Sequence, residues 1–169
     1  MIHLTLGPMY SGKTSKLLKL YKELGGIILD YSEKSGDGVV VNHDKEFAAC
    51  IKCNRLNLAE WLTDGPVYIN EAQFFPDLLD FIKKWENHFD LYIFGLDGDF
   101  VREPMGQILQ TLPLCDSVEK LKGKCSKCSA PSLFSKRITS DTVQYLLDET
   151  AYIPLCRNCY LTYNESFNR

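Results

Sequence analysis

The sequence lacks any apolar run that approaches the roughly 20 residues needed to span a bilayer. Its first residues, MIHLTLGPM, lack the basic and small-residue sections of a signal peptide. Excess positive charge is also missing, because 19 Lys and Arg stand against 22 Asp and Glu, for a net charge of −3. Proteins that bind polymeric nucleic acid usually concentrate excess Lys and Arg on one face. We therefore expect a soluble cytoplasmic protein that contacts neither a membrane nor a polymeric nucleic acid.

The seven cysteines are an odd number, and in an intracellular protein they are more often free thiols or metal ligands than disulfides. Six of them form C-x-x-C pairs: Cys50 with Cys53, Cys125 with Cys128, and Cys156 with Cys159. Any two pairs could supply one tetrahedral zinc site. We favour the last two, since both lie in short polar turns where two sulfurs can converge on Zn²⁺. The first pair is interpreted foremost as a surface coincidence, with a redox pair as the alternative.

Alternating strands and helices predict an α/β domain with a mostly parallel sheet covered on both faces. Apolar runs predict strands at 2–6, 26–30, 67–70 and 91–96. Apolar positions at three- and four-residue steps predict helices after Ser11, with Leu24 on the inner face, and after Pro76. Between 31 and 62 we expect a loop with one short strand and then a short helix. The alternation ends near residue 115, so we divide the chain into an α/β domain, 1–119, and a zinc-ribbon-like domain with a lasso loop, 120–169.

A glycine-rich motif, G-x-x-x-x-G-K-[ST], follows the first predicted strand and opens the first predicted helix. Its backbone N–H groups and the positive end of the helix suit the phosphates of a nucleotide. Lys13 adds a point charge, and the Thr14 hydroxyl is a predicted Mg²⁺ ligand. A chance match in an ordinary glycine turn is the alternative, but the strand and helix around the motif favour ATP binding. The predicted ATP-binding residues here are Gly7, Pro8, Met9, Tyr10, Ser11, Gly12, Lys13 and Thr14.

The strand VYIN ends in polar residues at the edge where ligands of open α/β sheets bind. Glu71 could accept a proton from an attacking hydroxyl, or it could be a solvated strand-end acid. Asn70 and Gln73 are assigned to the ATP side of the site. Phe74 and Phe75 could wall a flat base or belong to the core beneath the next helix.

A further strand end, GLDGDF, brings two aspartates to the same edge of the predicted sheet. Asp97 or Asp99 could help to hold a metal ion. Acids flanked by glycine are also ordinary turn formers, and that interpretation is at least as good.

The ordered motifs GPMYSGKT, NEAQFFPDL, LDGDFVREPMG, SKRI, CSKC and YIPLCRNCY resemble those of the type II thymidine kinases over nearly the whole chain. The resemblance implies ATP-dependent phosphorylation of the 5′-hydroxyl of thymidine to dTMP, with Mg²⁺, in a P-loop α/β domain beside a small zinc domain. It also implies a homotetramer. The glutamate of the family's D-E-[AG]-Q motif, its catalytic base, falls on Glu71.

The resemblance also assigns the nucleoside pocket. Met9, Leu96 and Phe100 would border the thymine and sugar, with Phe74 as a wall. Ser135 would lie at the thymine methyl group, and Tyr152 would steady the lasso. The backbone that would hydrogen-bond the base belongs to Val143, Gln144, Tyr145, Leu146 and Leu147.

Three departures from the family pattern bear on activity. Asn70 stands where the family usually has aspartate, so we expect weaker Mg²⁺ binding or more reliance on Glu71, Asp97 and Thr14. The D-x-R after the second strand is absent, with Lys34 as the nearest basic group. Leu147-Asp148 replaces the Gly-Gly before the Tyr152 motif.

Two other hypotheses remain open at the level of sequence. The first is a catalytically weakened relative that binds nucleotides as a regulator, motivated by Asn70 and the missing D-x-R. The second is a P-loop ATPase that grips nucleic acid with its zinc ribbon, for which KLKGKCSKC supplies some lysines. The acidic composition disfavours this second hypothesis.

Overall fold

The computed structural model describes residues 1–34, 36–58, 61, 63–144, 146 and 148–167, and for 164–167 it describes the backbone alone. Within this part of the chain the main sheet has seven strands, which are β1 (Ile2–Leu6), β2 (Ile27–Tyr31), β3 (Gly36–Val41), β4 (Phe47–Cys53), β5 (Val67–Asn70), β6 (Leu91–Gly95) and β7 (Ser117–Lys120). Their order is β3-β4-β2-β5-β6-β1-β7. β3 is antiparallel to β4, and every other pairing is parallel. The predicted mostly parallel α/β sheet is confirmed.

Helices cover both faces of this sheet. On one face α1 (Lys13–Leu24) buries Leu17 and Leu18 against the sheet, and on the other α2 (Leu78–Trp85) buries Phe81 and Ile82. The predicted inner face of α1 was wrong at Leu24, which is the last residue of the helix, directly before the Gly25 C-cap, and is 49% exposed. Among the described residues a further α-helix, α3 (Arg157–Phe167), lies near the C-terminal end.

Two main-sheet strands were missed at the level of sequence. The segment after residue 46 forms strand β4. Where a short helix was expected, the described residues up to 58 and residue 61 contain a 3₁₀ turn, Leu56–Leu58. The α/β alternation was expected to end near residue 115, yet β7 pairs in parallel with β1. All four residues of β7 are exposed, so this edge strand has no apolar periodicity to reveal it.

Cys50 and Cys53 lie in β4 and are buried, so the expected surface position was wrong. Residues three apart in a strand point to opposite faces of the sheet. Cys50 accordingly packs with the α1 cluster and Cys53 with the α2 cluster. The sheet separates the two thiols, and burial raises the pKa of each to about 11. This geometry disfavours the redox-pair alternative.

The C-terminal part contains two short antiparallel pairs and α3. The strands are β8 (Gly123–Lys124), β9 (Pro131–Ser132), β10 (Phe134–Arg137) and β11 (Tyr152–Leu155). A turn that contains the first favoured cysteine pair joins β8 to β9. Of the second pair, Cys156 lies between β11 and α3, and Cys159 lies in the first turn of α3. The loop between β10 and β11 is the lasso loop of the sequence prediction.

In the described part of the chain, no helix combines the length and the apolar character that a membrane crossing requires.

Candidate active site

A cavity of about 220 Å³ lies between the phosphate loop, the ends of β5 and β6, and the lasso loop. Fourteen of the predicted site residues line it. They are Met9, Tyr10, Ser11, Gly12, Lys13, Thr14, Glu71, Phe74, Leu96, Phe100, Ser135, Gln144, Leu146 and Tyr152. Tyr145 and Leu147 were also predicted there and fall outside the described residues. The residues predicted to bind phosphate and the described residues predicted to bind the nucleoside from the lasso loop thus line the same cavity.

The phosphate loop leaves the start of α1 open towards this cavity. Gly12, at the N-cap of α1, has a left-handed backbone (φ 85°), and no side chain caps the helix. The first N–H groups of α1 are therefore available to an anion. Lys13 is buried, and its Nζ donates to the carbonyl oxygens of Gly7 (3.2 Å) and Pro8 (2.8 Å). Gly7 and Pro8 do not line the cavity themselves, and their carbonyl oxygens hold the Lys13 side chain.

Glu71 follows β5 and lines the cavity, where its carboxylate interacts electrostatically with Lys13. Its backbone is left-handed (φ 52°), a conformation that costs a non-glycine residue free energy. Gln73 donates to Glu71 Oε2 at 2.6 Å and accepts from the backbone N–H of Leu96 at 3.0 Å. Burial raises the pKa of Glu71, and Lys13 and Gln73 only partly offset this effect. A carboxyl group with a raised pKa in a cleft suits a general base.

Asn70 and Gln73 are buried and do not line the cavity. Gln73 uses both ends of its amide on Glu71 and Leu96, so it positions the carboxylate. Asn70 donates to Asp30 at 2.8 Å across the β2–β5 pairing. Their predicted contact with ATP stays a prediction.

The two phenylalanines after Glu71 have different environments. Phe74 lines the cavity beside Tyr31, with ring centroids 5.1 Å apart. Phe75 is 1% exposed and belongs to the core beneath α2. Phe74 therefore has the position of a cavity wall, and Phe75 is the core residue that the alternative described.

Arg137, at the end of β10, organises the lasso loop and was not predicted. It is buried, and its guanidinium donates to the carbonyl oxygens of Asp141 (3.1 Å), Val143 and Gln144 (3.3 Å). It also donates to the Tyr152 hydroxyl. The guanidinium of arginine presents its N–H donors in a rigid planar fork, which suits several acceptors held in a fixed arrangement.

Val143 has both backbone groups engaged within the lasso loop and does not line the cavity. Its N–H donates to the Asp141 carboxylate at 2.9 Å, and its carbonyl oxygen accepts from Arg137. Among the described residues of the predicted base-binding stretch, Gln144 and Leu146 reach the cavity. These two are the described residues of the stretch that are placed to meet a base, and the predicted backbone recognition stays a prediction.

Asp99 connects the lasso loop to the loop that follows β6. Its Oδ1 accepts from the N–H groups of Val101 and Glu103, both at 2.9 Å, and its Oδ2 accepts from Gln144 Nε2 at 2.9 Å. Asp97 pairs with Lys120 of β7. These contacts favour the turn-forming interpretation of Asp99 over a metal ligand.

A model of the thymidine kinase family matches residues 1–160. The chain is 34% identical over 174 residues to the thymidine kinase of Yaba monkey tumor virus, and the match covers 96% of each chain. The chain belongs to the thymidine kinase family. It is also 34% identical to the enzyme of Monkeypox virus and 33% to that of Vaccinia virus (strain Western Reserve), over 170 residues. Both matches cover 95% of this chain and 96% of the relative.

As a member of the thymidine kinase family, the chain is an enzyme of the kinase class. Two of its departures from the family pattern now have a structural setting. Lys34, the nearest basic group to the missing D-x-R, is exposed and does not line the cavity. Asp148, in the Gly-Gly position, accepts from the Thr150 N–H at 2.9 Å and so caps the turn before Tyr152.

The four cysteines favoured as metal ligands form one cluster in this family member. The Sγ atoms of Cys125, Cys128, Cys156 and Cys159 all lie within 4.8 Å of one another. Cys128 Sγ lies 3.6 Å from that of Cys156 and 3.5 Å from that of Cys159. Thiolates on a tetrahedral zinc, at ~2.3 Å from the ion, are about 3.8 Å apart. The cluster therefore has the dimensions of a zinc site.

Seven residues of the cavity wall were missed in the sequence, and most have no motif of their own. His43 stacks on Tyr10, with centroids 4.9 Å apart, and Tyr10 in turn donates to the Glu149 carbonyl at 2.8 Å. These contacts depend on pairings between distant segments, which spacing along the chain does not reveal. The seven are Ser15, Tyr31, Asn42, His43, Gly98, Met105 and Glu149. Asp99 also lines the cavity, and the sequence had singled it out as a metal ligand or a turn former.

Proposed function

We propose that the protein transfers the γ-phosphoryl group of ATP to the 5′-hydroxyl of thymidine and releases dTMP. The observation that carries this proposal is that one cavity contains the open end of the phosphate loop, the carboxylate of Glu71 and the lasso loop. The viral relatives are thymidine kinases, and from them we infer that the acceptor is thymidine. We also expect a homotetramer in the cytoplasm, which sedimentation and cell fractionation would test.

The phosphate side would bind ATP through the N–H groups at the start of α1 and through Lys13. Lys13 Nζ donates to two carbonyl oxygens of the phosphate loop, and phosphate oxygens of ATP would replace these acceptors. Burial lowers the pKa of Lys13, with Glu71 opposing that effect. Bound phosphate would restore a strong preference for the charged form.

Oxygen donors suited to Mg²⁺ are present at the same end of the cavity. Thr14 lines the cavity, and the neutral Asn70 is buried at the end of β5. Thr14 would hold the ion directly, and the Asn70 carbonyl oxygen would accept from one of its water ligands. When bound, Mg²⁺ neutralises charge that develops on the transferred phosphoryl group.

Glu71 would take the proton of the attacking hydroxyl. Gln73 engages Oε2 and so fixes the plane of the carboxylate, which leaves Oε1 for the acceptor. The raised pKa strengthens Glu71 as a base, because the proton it accepts is held more firmly than by an ordinary carboxylate. Chemistry in a kinase otherwise depends mainly on alignment and charge neutralisation.

The acceptor side would be closed by the lasso loop. Phe74 and Phe100 offer apolar walls, and the Ser135 hydroxyl lies where the thymine methyl group would approach. Zinc on the four cysteines would fix the base of this loop, because β11 leads from the lasso into the cysteine-bearing start of α3. The zinc is assigned a structural role, since all four positions would be filled by protein ligands.

A transfer assay with γ-labelled ATP and thymidine tests the proposal, with dTMP as the expected labelled product. Glu71→Gln should lower turnover by about 100-fold or more while ATP affinity stays unchanged. Lys13→Ala should lower both. Undiminished turnover in Glu71→Gln would remove the base assignment.

The neutral Asn70 favours one alternative, a catalytically weakened nucleotide-binding regulator of the same fold. In that case purified protein would bind ATP in a titration and yield no labelled nucleotide with thymidine or other deoxynucleosides. Labelled dTMP at a rate that depends on Glu71 would exclude it.

A further inference from the structure

Asp30 and Asn70 end two neighbouring parallel strands, and they are register partners of β2 and β5. Asn70 Nδ2 donates to Asp30 Oδ1 at 2.8 Å, and each residue is 5% exposed. A carboxylate can only accept, so the amide nitrogen of Asn70 must face Asp30. Among the described residues no donor contacts the Asn70 carbonyl oxygen, which this arrangement leaves free to accept.

Lys52 of β4 extends this contact to a third strand. We call the three linked side chains, Lys52, Asp30 and Asn70, the row. Its Nζ donates to Asp30 Oδ2, so both carboxylate oxygens are engaged. The lysine reaches Asp30 over Gly38 of β3, where an added Cβ would lie 2.9 Å from Lys52 Cγ. A side chain at position 38 would therefore displace the lysine stem, and glycine there makes room for the ion pair.

The row places a carboxylate, paired with Lys52, one strand away from the position where the family usually has an aspartate. Neighbouring strands lie about 4.8 Å apart, so the displacement is small on the scale of electrostatic interactions in a protein interior. Were residue 70 also an acid, two buried carboxylates would face each other at hydrogen-bond distance. That arrangement is strongly unfavourable unless one of them binds a proton.

We propose that Asp30 is a positioning residue of the phosphoryl-transfer site: by accepting from the Asn70 amide nitrogen, it fixes the Asn70 side chain so that its oxygen can accept from a water ligand of the magnesium–nucleotide. The magnesium part of this inference rests on the proposed function. Lys52 holds the Asp30 carboxylate in place. Restoring aspartate at position 70 alone therefore damages the site.

A reciprocal exchange tests the row without removing any of its hydrogen bonds. In the double variant Asp30→Asn/Asn70→Asp, the amide at position 30 accepts from Lys52 and donates to the new carboxylate. The two single variants, Asp30→Asn and Asn70→Asp, lack a complementary arrangement. All four proteins are compared without nucleotide by thermal unfolding, which reports on the row whether or not the protein phosphorylates thymidine.

Asn70→Asp should lower the melting temperature by roughly 5 to 10 °C, since it buries a second carboxylate without a cation of its own. The double variant should recover most of this loss. The proposed coupling of Asp30 and Asn70 is wrong if the double variant has no higher melting temperature than Asn70→Asp. It is also wrong if Asn70→Asp has the melting temperature of the native protein.

The second measurement is the ratio of ATP affinities with Mg²⁺ and with EDTA. Asp30→Asn should reduce this ratio by about tenfold, as removal of groups that orient metal ligands commonly does. The double variant should keep the native ratio or exceed it. A higher ratio for Asn70→Asp alone than for the native protein would overturn the role of Asp30.

The two failures are distinguishable. A native protein that binds ATP with Mg²⁺ and transfers nothing to thymidine would overturn the proposed acceptor and leave both measurements on the row valid. A native protein whose ATP affinity does not respond to Mg²⁺ would overturn the magnesium part of the inference directly.

Discussion

The backbone N–H of Met9 donates to the Ser135 hydroxyl at 2.8 Å, which joins the phosphate loop to the strand that enters the lasso loop. The two residues are 126 positions apart in the chain. Ser135 is 4% exposed, so this contact is shielded from water. This hydrogen bond therefore links the proposed ATP side of the cavity to the proposed thymidine side.

Ser135→Ala should weaken thymidine binding, because it leaves the Met9 N–H without its acceptor. Loss of one such bond costs about 1 kcal/mol, or about a fivefold rise in the KM for thymidine. Ser135→Thr keeps a hydroxyl and is the matched control. Steady-state kinetics with each substrate varied would measure the effect, and equal KM values for alanine and serine would contradict it.

Arg137→Met should loosen the lasso loop while preserving much of the buried volume. We expect the KM for thymidine to rise by at least about tenfold, since three carbonyl groups of the lasso loop lose their shared donor. The KM for ATP should change little. Limited proteolysis near Asp141 would report the loosening, and an unchanged cleavage rate would argue against this role.

Activity should fall at acid pH because Glu71 must be ionised to accept a proton. Burial raises its pKa above the ordinary value of 4.5, so the acid limb of kcat/KM for thymidine lies at higher pH than for a solvated glutamate. The rate is lost as pH falls through this raised pKa and is retained above it. A pH profile of kcat/KM tests this, and the same limb in Glu71→Gln would assign it to another group.

Cys128→Ser should abolish stoichiometric zinc binding and lower the melting temperature, as should a strong chelator acting on the native protein. Cys50→Ala is the control, since it removes a buried thiol that lies far from the cluster in the main sheet. It should keep one zinc per chain even if it unfolds more easily. Metal analysis of both variants would separate loss of zinc from general destabilisation.

The sequence predicted those parts of the fold that have a local signal. The P-loop is flanked by an apolar strand and an amphipathic helix, and the cysteine pairs have metal-ligand spacing, so each could be recognised from neighbouring residues alone. Glu71 was placed correctly at the edge of the sheet because parallel strands bring their carboxyl ends together.

The remainder depends on pairings between distant segments. Asp30 becomes the partner of Asn70 only through the β2–β5 register, and Arg137 meets the lasso carbonyls only when the loop folds back on β10. The β7 strand has no apolar face, so its membership of the sheet follows from hydrogen bonds with β1 alone. Local periodicity contains no information about such contacts.

The left-handed backbone at Glu71 implies a trade-off between the stability of the fold and the proposed catalytic role of this residue. A glycine would adopt this conformation without the steric cost of roughly 1 to 3 kcal/mol that a glutamate bears. Selection for a more robust fold would therefore remove the very side chain proposed as the base. Directed evolution for heat resistance without an activity screen should accumulate glycine or asparagine at this position, and the resulting proteins would be stable and inactive.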